Sequence, residues 1–327
     1  MKMNRIIFFF ISLIIFSNPI IGNTKKNLLL DSGISWIGAG VAYGPFRDNQ
    51  FPGGPNPSVS ELREDLHIIS DNWKWIRVYG SRGITSDILQ IIREDNLNIK
   101  VMLGAWIAKE EGLPIAKKNN KEEIDRAIEL ANKFPDLVNS INIGNETMVF
   151  WSDHIVDIKT MKQYIKYTSK KVNVPVSTAD DFNFWNKDES KQIAEISDFI
   201  VLHIHPLWAG AMEEDALKWV QKIYNQIKSF HPTKTIVIGE TGWATNRHNE
   251  GIQAELMNGN ANEQTQLIYF NEFIDWAFQN KIPHHFFEVF DEKWKGGAHP
   301  NEVEKHWGLY FSNRKPKEVI KKVNEIN

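Results

Sequence analysis

An alternation that repeats eight times without a break constrains this chain more than any other feature. Short apolar runs lie at residues 35–42, 75–79, 99–105, 137–143, 174–178, 199–204, 235–239 and 284–290. Between them come segments such as 58–71, 122–133, 160–172, 214–230 and 263–279, in which apolar residues recur every three or four positions and the other face is charged. A short continuous apolar run reads as a buried strand, and a period near 3.6 reads as an amphipathic helix. Strands that alternate with helices pair in parallel, because a parallel neighbour needs a crossover connection. Eight units of roughly 30 to 40 residues predict a single (β/α)8 TIM barrel of the α/β class. Ser58 followed by Glu61 has the spacing of a capping box and marks the first helix start. An open doubly wound sheet shares the local pattern, but Gly38, Gly40 and Gly44 do not form the phosphate-binding loop expected after its first strand. The stretches 52–57 and 258–262 read as loops, and no repeat or linker points to an attached module.

The 327 residues hold 38 Lys plus Arg against 41 Asp plus Glu, a formal charge of −3 with no long run of one sign. That balance argues against nucleic acid as a partner, since neutralising phosphates needs a basic surface. With no cysteine, a thiol nucleophile, a disulfide framework and a thiolate metal site are all excluded.

The first residues read as an export signal. Lys2 and Arg5 precede an apolar run over 6–16, followed by Ser17, Asn18, Pro19 and the small Gly22. The run is shorter than the ~20 residues needed to span a bilayer. Cleavage near residues 22–24 is expected, so that 1–23 is a signal peptide and 24–327 the catalytic barrel of a secreted or periplasmic protein with no stable membrane span.

In such a barrel the chemistry sits at the C-terminal ends of the strands. The fourth run leads into Asn145-Glu146 and the seventh into Gly239-Glu240-Thr241-Gly242-Trp243. Two carboxylates converging beside buried aliphatics can be driven toward acid and base roles, as glycoside cleavage requires. A lone strand-end Glu would serve equally well as a rim hydrogen-bond acceptor; two of them, on strands four and seven, favour catalysis.

Several segments together resemble glycoside hydrolase family 17, which acts on β-1,3-glucans. They are Val41-Ala42-Tyr43-Gly44-Pro45, Ile76-Arg77-Val78-Tyr79, Ile143-Gly144-Asn145-Glu146, Ile238-Gly239-Glu240-Thr241-Gly242-Trp243, Phe290-Asp291-Glu292-Lys293-Trp294-Lys295 and Glu304-Lys305-His306-Trp307-Gly308-Leu309-Tyr310. The resemblance implies a retaining mechanism with Glu146 as acid/base and Glu240 as nucleophile, and Asn145 bonded to the sugar 2-hydroxyl. It also implies a charged cluster of Glu292, Lys295 and Glu304, in which Lys295 holds Glu240 ionised and Glu292 balances Lys295. Tyr43 and Tyr79 would stand near the cleavage point. Of the 12 Trp, six follow predicted strands: Trp106, Trp151, Trp185, Trp208, Trp243 and Trp294. Trp208 and Trp243 are expected nearest the site, and exposed indoles suit a polymer because sugar rings stack on aromatic faces.

The chain departs from the family where Tyr-Pro-Tyr-Phe is usual after strand six. Here it reads His205-Pro206-Leu207-Trp208, and His205 is expected to hydrogen-bond near the nucleophile. His203 and His205 form a His-x-His pair that some metal enzymes use, but a hydrogen-bonding role is preferred and neither metal nor cofactor is expected. His284 and His285 point to opposite strand faces and cannot both be ligands. The leading expectation is a monomeric, endo-acting β-1,3-glucanase that acts on a laminarin-like polysaccharide or its oligosaccharides. The alternatives are a β-1,3-glucanosyltransferase and a noncatalytic glucan-binding protein.

Overall fold

The computed structural model describes residues 26–31 and 36–321, so the expected signal segment lies outside the described residues. The first half of the barrel runs β1 (Ala39–Ala42), α1 (Val59–Ser70), β2 (Trp75–Val78), α2 (Thr85–Glu94), β3 (Lys100–Ala105), α3 (Pro114–Lys133), β4 (Val138–Asn145) and α4 (Ile158–Ser169). The second half runs β5 (Val176–Asp181), α5 (Phe182–Trp185), α6 (Ser190–Ile196), β6 (Ile200–His203), α7 (Ala216–Phe230), β7 (Ile236–Thr241), α8 (Gly251–Leu256), α9 (Glu263–Gln279) and β8 (His284–Phe286). The strands close into one barrel in sequence order, each parallel to its neighbours, and β1 meets β8 through Ala39↔His284 and Val41↔Phe286. Among the described residues, no helix is long and apolar enough to cross a membrane.

All eight predicted strands are present, but their ends move in a way that matters for the site. β4 extends to Asn145, β5 to Asp181 and β7 to Thr241, so polar residues predicted to follow strands lie on them or directly against their ends. β8 stops at Phe286, and among the described residues the chain beyond it pairs through isolated bridges, Phe290 with Tyr310 and Tyr310 with Pro316. The predicted capping box forms: Ser58 accepts from the Glu61 backbone N–H, and the Glu61 carboxylate accepts from Ser58 N at 2.8 Å.

Both faces of the strands are covered, which explains their nearly continuous apolar sequence. The outer faces pack on the helices in one large cluster that includes Leu62, Leu66, Ile124, Ile165, Val220 and Phe273. Trp75, Met102, Ala179, Phe199, Val201 and Val237 form a second, smaller cluster, against which Leu28 and Leu30 pack. His284 and His285, on successive positions, are both buried: His284 lies against Phe273, and His285 tilts over Trp75 at 4.0 Å. Burial drives the pKa of His284 down to about 4 and that of His285 well below the ordinary range, so both serve as neutral core rings.

A buried ion network ties the segment after β1 and the C-terminal tail to α1. The Asp65 carboxylate, inaccessible to solvent, accepts from Arg314 Nε at 2.8 Å, Arg314 Nη2 at 2.7 Å and Arg47 Nη2 at 2.8 Å. Tyr43 donates to the same carboxylate at 3.1 Å. This corrects the expectation for Tyr43, whose side chain turns toward α1 and away from the barrel mouth because the buried Asp65 needs another donor. Removing one member of a buried charge group strands the rest. Asp65→Ala should therefore lower unfolding free energy by about 3–5 kcal/mol, measured by urea denaturation.

Candidate active site

At the C-terminal end of the barrel, β2, β4, β6 and β7 bring their last residues together around two carboxylates. Glu240 lies on β7, almost fully buried. Its Oε1 accepts from Arg77 Nη1 at 2.5 Å and from the Tyr79 hydroxyl at 2.9 Å, and its Oε2 accepts from His205 Nε2 at 3.2 Å. Burial by itself would raise the Glu240 pKa. Attraction to His203 and Arg77 and the His205 hydrogen bond outweigh it, holding the carboxyl well below the usual range. The effect on His205 is reciprocal: burial opposes its charge, but Glu240 raises its pKa above the ordinary value.

Glu146 follows directly on β4 with a backbone φ of +50°, after Gly144 at +78°. A left-handed non-glycine residue costs of order 1–3 kcal/mol and persists only when its surroundings pin it. They do so here: Glu146 N donates to Ala179 O at 2.9 Å, Met148 N donates to the buried Asp180 carboxyl at 2.8 Å, and His154 Nε2 lies 2.8 Å from Asn145 O. The turn lifts the Glu146 side chain out of the strand's alternation and leaves it partly exposed. Its Oε1 lies 2.8 Å from His203 Nδ1. Arg77 Nη2 donates to Asn145 Oδ1 at 2.5 Å, which leaves the Asn145 amide N–H2 free to donate elsewhere.

The wall beside Glu240 comes from the chain beyond β8. Lys295 bridges Glu288 at 2.7 Å and Glu292 at 2.9 Å. Burial opposes the Lys295 charge, but the two carboxylates overcome it and raise its pKa. Glu292 also accepts from Trp294 Nε1 at 2.9 Å, and Glu304 accepts from Trp208 Nε1 at 2.9 Å. Gly44 makes room for this group, since a Cβ at that position would stand 2.1 Å from Glu292 Oε2 and displace the carboxylate. The expectation that Lys295 holds Glu240 ionised is thus corrected. The direct cationic contact is Arg77, while Lys295 is engaged by Glu288 and Glu292.

The predicted residues Glu146, Glu240, Asn145, Tyr79 and His205 meet at one point, and Trp208, Glu292, Lys295 and Glu304 line the adjoining wall. Trp243 does not reach the site. It is fully buried, with its indole N–H donating to Asn260 O at 2.8 Å, because the turn after β7 directs it under the 258–262 loop. Of the other indoles, Trp185 is core, while Trp106, Trp151 and Trp294 are 42%, 48% and 40% exposed. Five site residues were given no role from sequence or a different one: Arg77, Asp180, Asp181, His203 and Glu288. Arg77, His203 and Glu288 share a signal, a titratable side chain inside an apolar strand run, whereas Asp180 and Asp181 lie just beyond the run at 174–178. Burial raises Asp181 to about 7 and Asp180 well above its usual value, with the Glu146 charge adding to both.

Donor atoms of Glu146, His203 and Glu240 all lie within 4.8 Å of one another, a spacing a metal ion could use. The Arg77 guanidinium on Glu240 already neutralises that carboxylate and would repel a divalent cation, so the donor set fits an ion poorly.

Residues 40–308 match the BtgE/BtgC glycoside hydrolase domain. The chain belongs to that family. A putative glucan endo-1,3-beta-glucosidase btgC of Aspergillus niger is 27% identical, over 90% of this chain and 45% of that protein. The chain thus spans less than half the length of this curated relative. Among solved structures, an endo-laminarinase from Formosa superposes with a TM-score of 0.77 at 26% identity, covering 88% of this chain and 86% of that one. A glycoside hydrolase family 17 beta-1,3-glucanosyltransferase from Rhizomucor miehei shares the fold, with a TM-score of 0.68 at 22% identity over 86% of this chain and 95% of that one.

The contacts of this BtgE/BtgC-family site make a specific electrostatic prediction. Because its folded pKa is depressed, Glu240 should stay ionised as pH falls below the ordinary Glu value of about 4.3. Arg77→Gln should shift its titration upward, as followed by carboxyl carbon NMR of labelled protein.

Proposed function

We propose that the chain is an exported, retaining glycoside hydrolase of family 17 that cleaves β-1,3-glucans internally. The observation that carries this reading is the separation of the carboxylates: one oxygen of Glu146 and one of Glu240 lie within 4.8 Å of each other. Retaining glycosidases hold their two carboxyls about 5–5.5 Å apart, whereas inverting enzymes need about 6.5–9.5 Å to admit a water. The substrate class rests on the family-17 motifs in the sequence and on the names carried by the Aspergillus and Formosa relatives.

In this mechanism Glu240, kept ionised by Arg77, attacks the anomeric carbon while Glu146 gives its proton to the departing glycosidic oxygen. The bond from carbon to that oxygen breaks as the bond to the Glu240 oxygen forms. Glu146, now ionised, takes a proton from water, whose oxygen displaces Glu240 and leaves the β configuration unchanged. Asn145 offers its amide N–H to the 2-hydroxyl, a contact that strengthens as the oxocarbenium ion develops. Exposed Trp106, Trp151 and Trp294 supply stacking surfaces for a polymer, and the protein works on it as a monomer without metal or cofactor.

Transfer to a second sugar is the alternative outcome of the same glycosyl-enzyme. Trp106 and Trp151, exposed on the loops after β3 and β4, would then stack the acceptor sugar as they stack the polymer in hydrolysis.

Purified protein incubated with laminarin oligosaccharides should release shorter products that are initially β-configured by proton NMR. Glu240→Ala should release none, and Glu146→Gln should slow turnover by about 10²–10⁴-fold. Products longer than the starting oligosaccharide would assign transfer. Binding without cleavage by wild type and variants alike would overturn the enzymatic reading in favour of a glucan-binding protein.

A further inference from the structure

The two carboxylates are held very differently. Glu240 has Arg77, Tyr79 and His205 on its oxygens. For the Glu146 carboxyl, the hydrogen-bonding side chain among the described residues is His203, at 2.8 Å. His203 ends β6, is fully buried, and directs its Nε2 toward Glu240 Oε1 at 3.4 Å, beyond hydrogen-bond geometry, so that nitrogen has no hydrogen-bond partner. The backbone fixes this placement: His203 is in register with Asp181 on one side and Glu240 on the other, and Ile204 N donates to Glu240 O at 2.9 Å. Space for the ring is provided by Gly239, where a Cβ would come within 3.3 Å of His203 Nε2 and within 2.2 Å of Val201.

We propose that His203 is the positioning residue of the acid/base, holding the Glu146 carboxyl on target through both halves of a retaining cycle. The inference rests on the retaining-glycosidase reading. An imidazole nitrogen suits the task because it can accept from a protonated carboxyl or donate to an ionised one. Glu146 must be protonated when the leaving group departs and ionised when water attacks, and the same ring can hold it in each state. The turn residue Glu146 otherwise relies on a left-handed backbone for its direction, and an unheld carboxyl could rotate away from the glycosidic oxygen. A misplacement of about 1 Å costs on the order of 10²-fold in rate.

Steps that use Glu146 should suffer most when His203 is changed, and leaving-group chemistry separates those steps from the rest. The test compares the full-length wild type with His203→Asn and His203→Gln on laminarin and on a dinitrophenyl β-laminaribioside, whose departure needs no proton. With wild type, azide should leave turnover unchanged. With His203→Asn, kcat on laminarin should fall about 10²-fold with KM little changed. On the dinitrophenyl substrate the initial burst of dinitrophenol should remain, and azide, which attacks without a general base, should raise turnover and yield a β-glycosyl azide. His203→Gln should give the same pattern, more weakly if its longer amide reaches Glu146. Equal loss on both substrates with no azide response, or full activity on laminarin, would overturn the proposal; folded variants are verified by circular dichroism. A wild type whose first-formed sugar product is α-configured by proton NMR would overturn the retaining reading itself, an outcome distinct from any behaviour of the variants.

Discussion

The site depends on one buried cation. Arg77 stands on β2 with almost no solvent exposure, and its guanidinium reaches across the barrel to Glu240 with one nitrogen and to Asn145 with another. A carboxylate taken out of water would ordinarily neutralise itself by binding a proton, because desolvation penalises the charged form by several kcal/mol. A permanently charged planar fork within hydrogen-bond distance removes that option for Glu240. The same fork orients the Asn145 amide, so one side chain sets both the charge of one carboxylate and the presentation of the residue that precedes the other.

Around this centre the barrel grades from apolar to polar along its axis. Trp75, Phe199 and Val237 belong to a small apolar cluster on which Leu28 and Leu30 pack. Arg77, His203 and Glu240 follow along the same strands toward their C-terminal ends, and the open mouth carries exposed indoles. The chain beyond β8 then folds back as a rim. Lys317 donates to Asp291 at 2.8 Å, Asp291 accepts from Gly308 N at 2.9 Å, and Arg314 clamps Asp65 on α1. That clamp holds in place the segment presenting Lys295 and Glu304, so residues with no part in the chemistry determine where the wall of the cleft stands.

Sequence reading succeeded where physics is local. Alternating apolar runs and helical periodicity located eight strands, and Ser58 with Glu61 located a helix start, because these patterns follow from backbone geometry over a few residues. Asn145-Glu146 and Gly239-Glu240 were recognisable because a carboxylate is rare at the end of an apolar strand. Tyr43 and Trp243 were misplaced for the converse reason. Each sits in a motif beside the site, yet the direction of its side chain was decided by a distant partner: Asp65 for the first, Asn260 O for the second. Lys295 carried the right charge for the role expected of it, but Glu288, hidden in the apolar run after β8, claimed it.

The sequence by itself therefore determined the number of strands, their order, and which two strands would end in a carboxylate. Hydrophobic period and strand-end position are properties of neighbouring residues. Only the tertiary structure decided that Arg77 rather than Lys295 would neutralise Glu240, that His203 would lie between the two carboxylates, and that they would approach within 4.8 Å. Those outcomes depend on barrel closure and on the stagger between β2, β4, β6 and β7. Electrostatic pairing acts across space between residues as far apart in the chain as Glu146 and His203, 57 positions, and Arg77 and Glu240, 163 positions, a range over which no local pattern carries information.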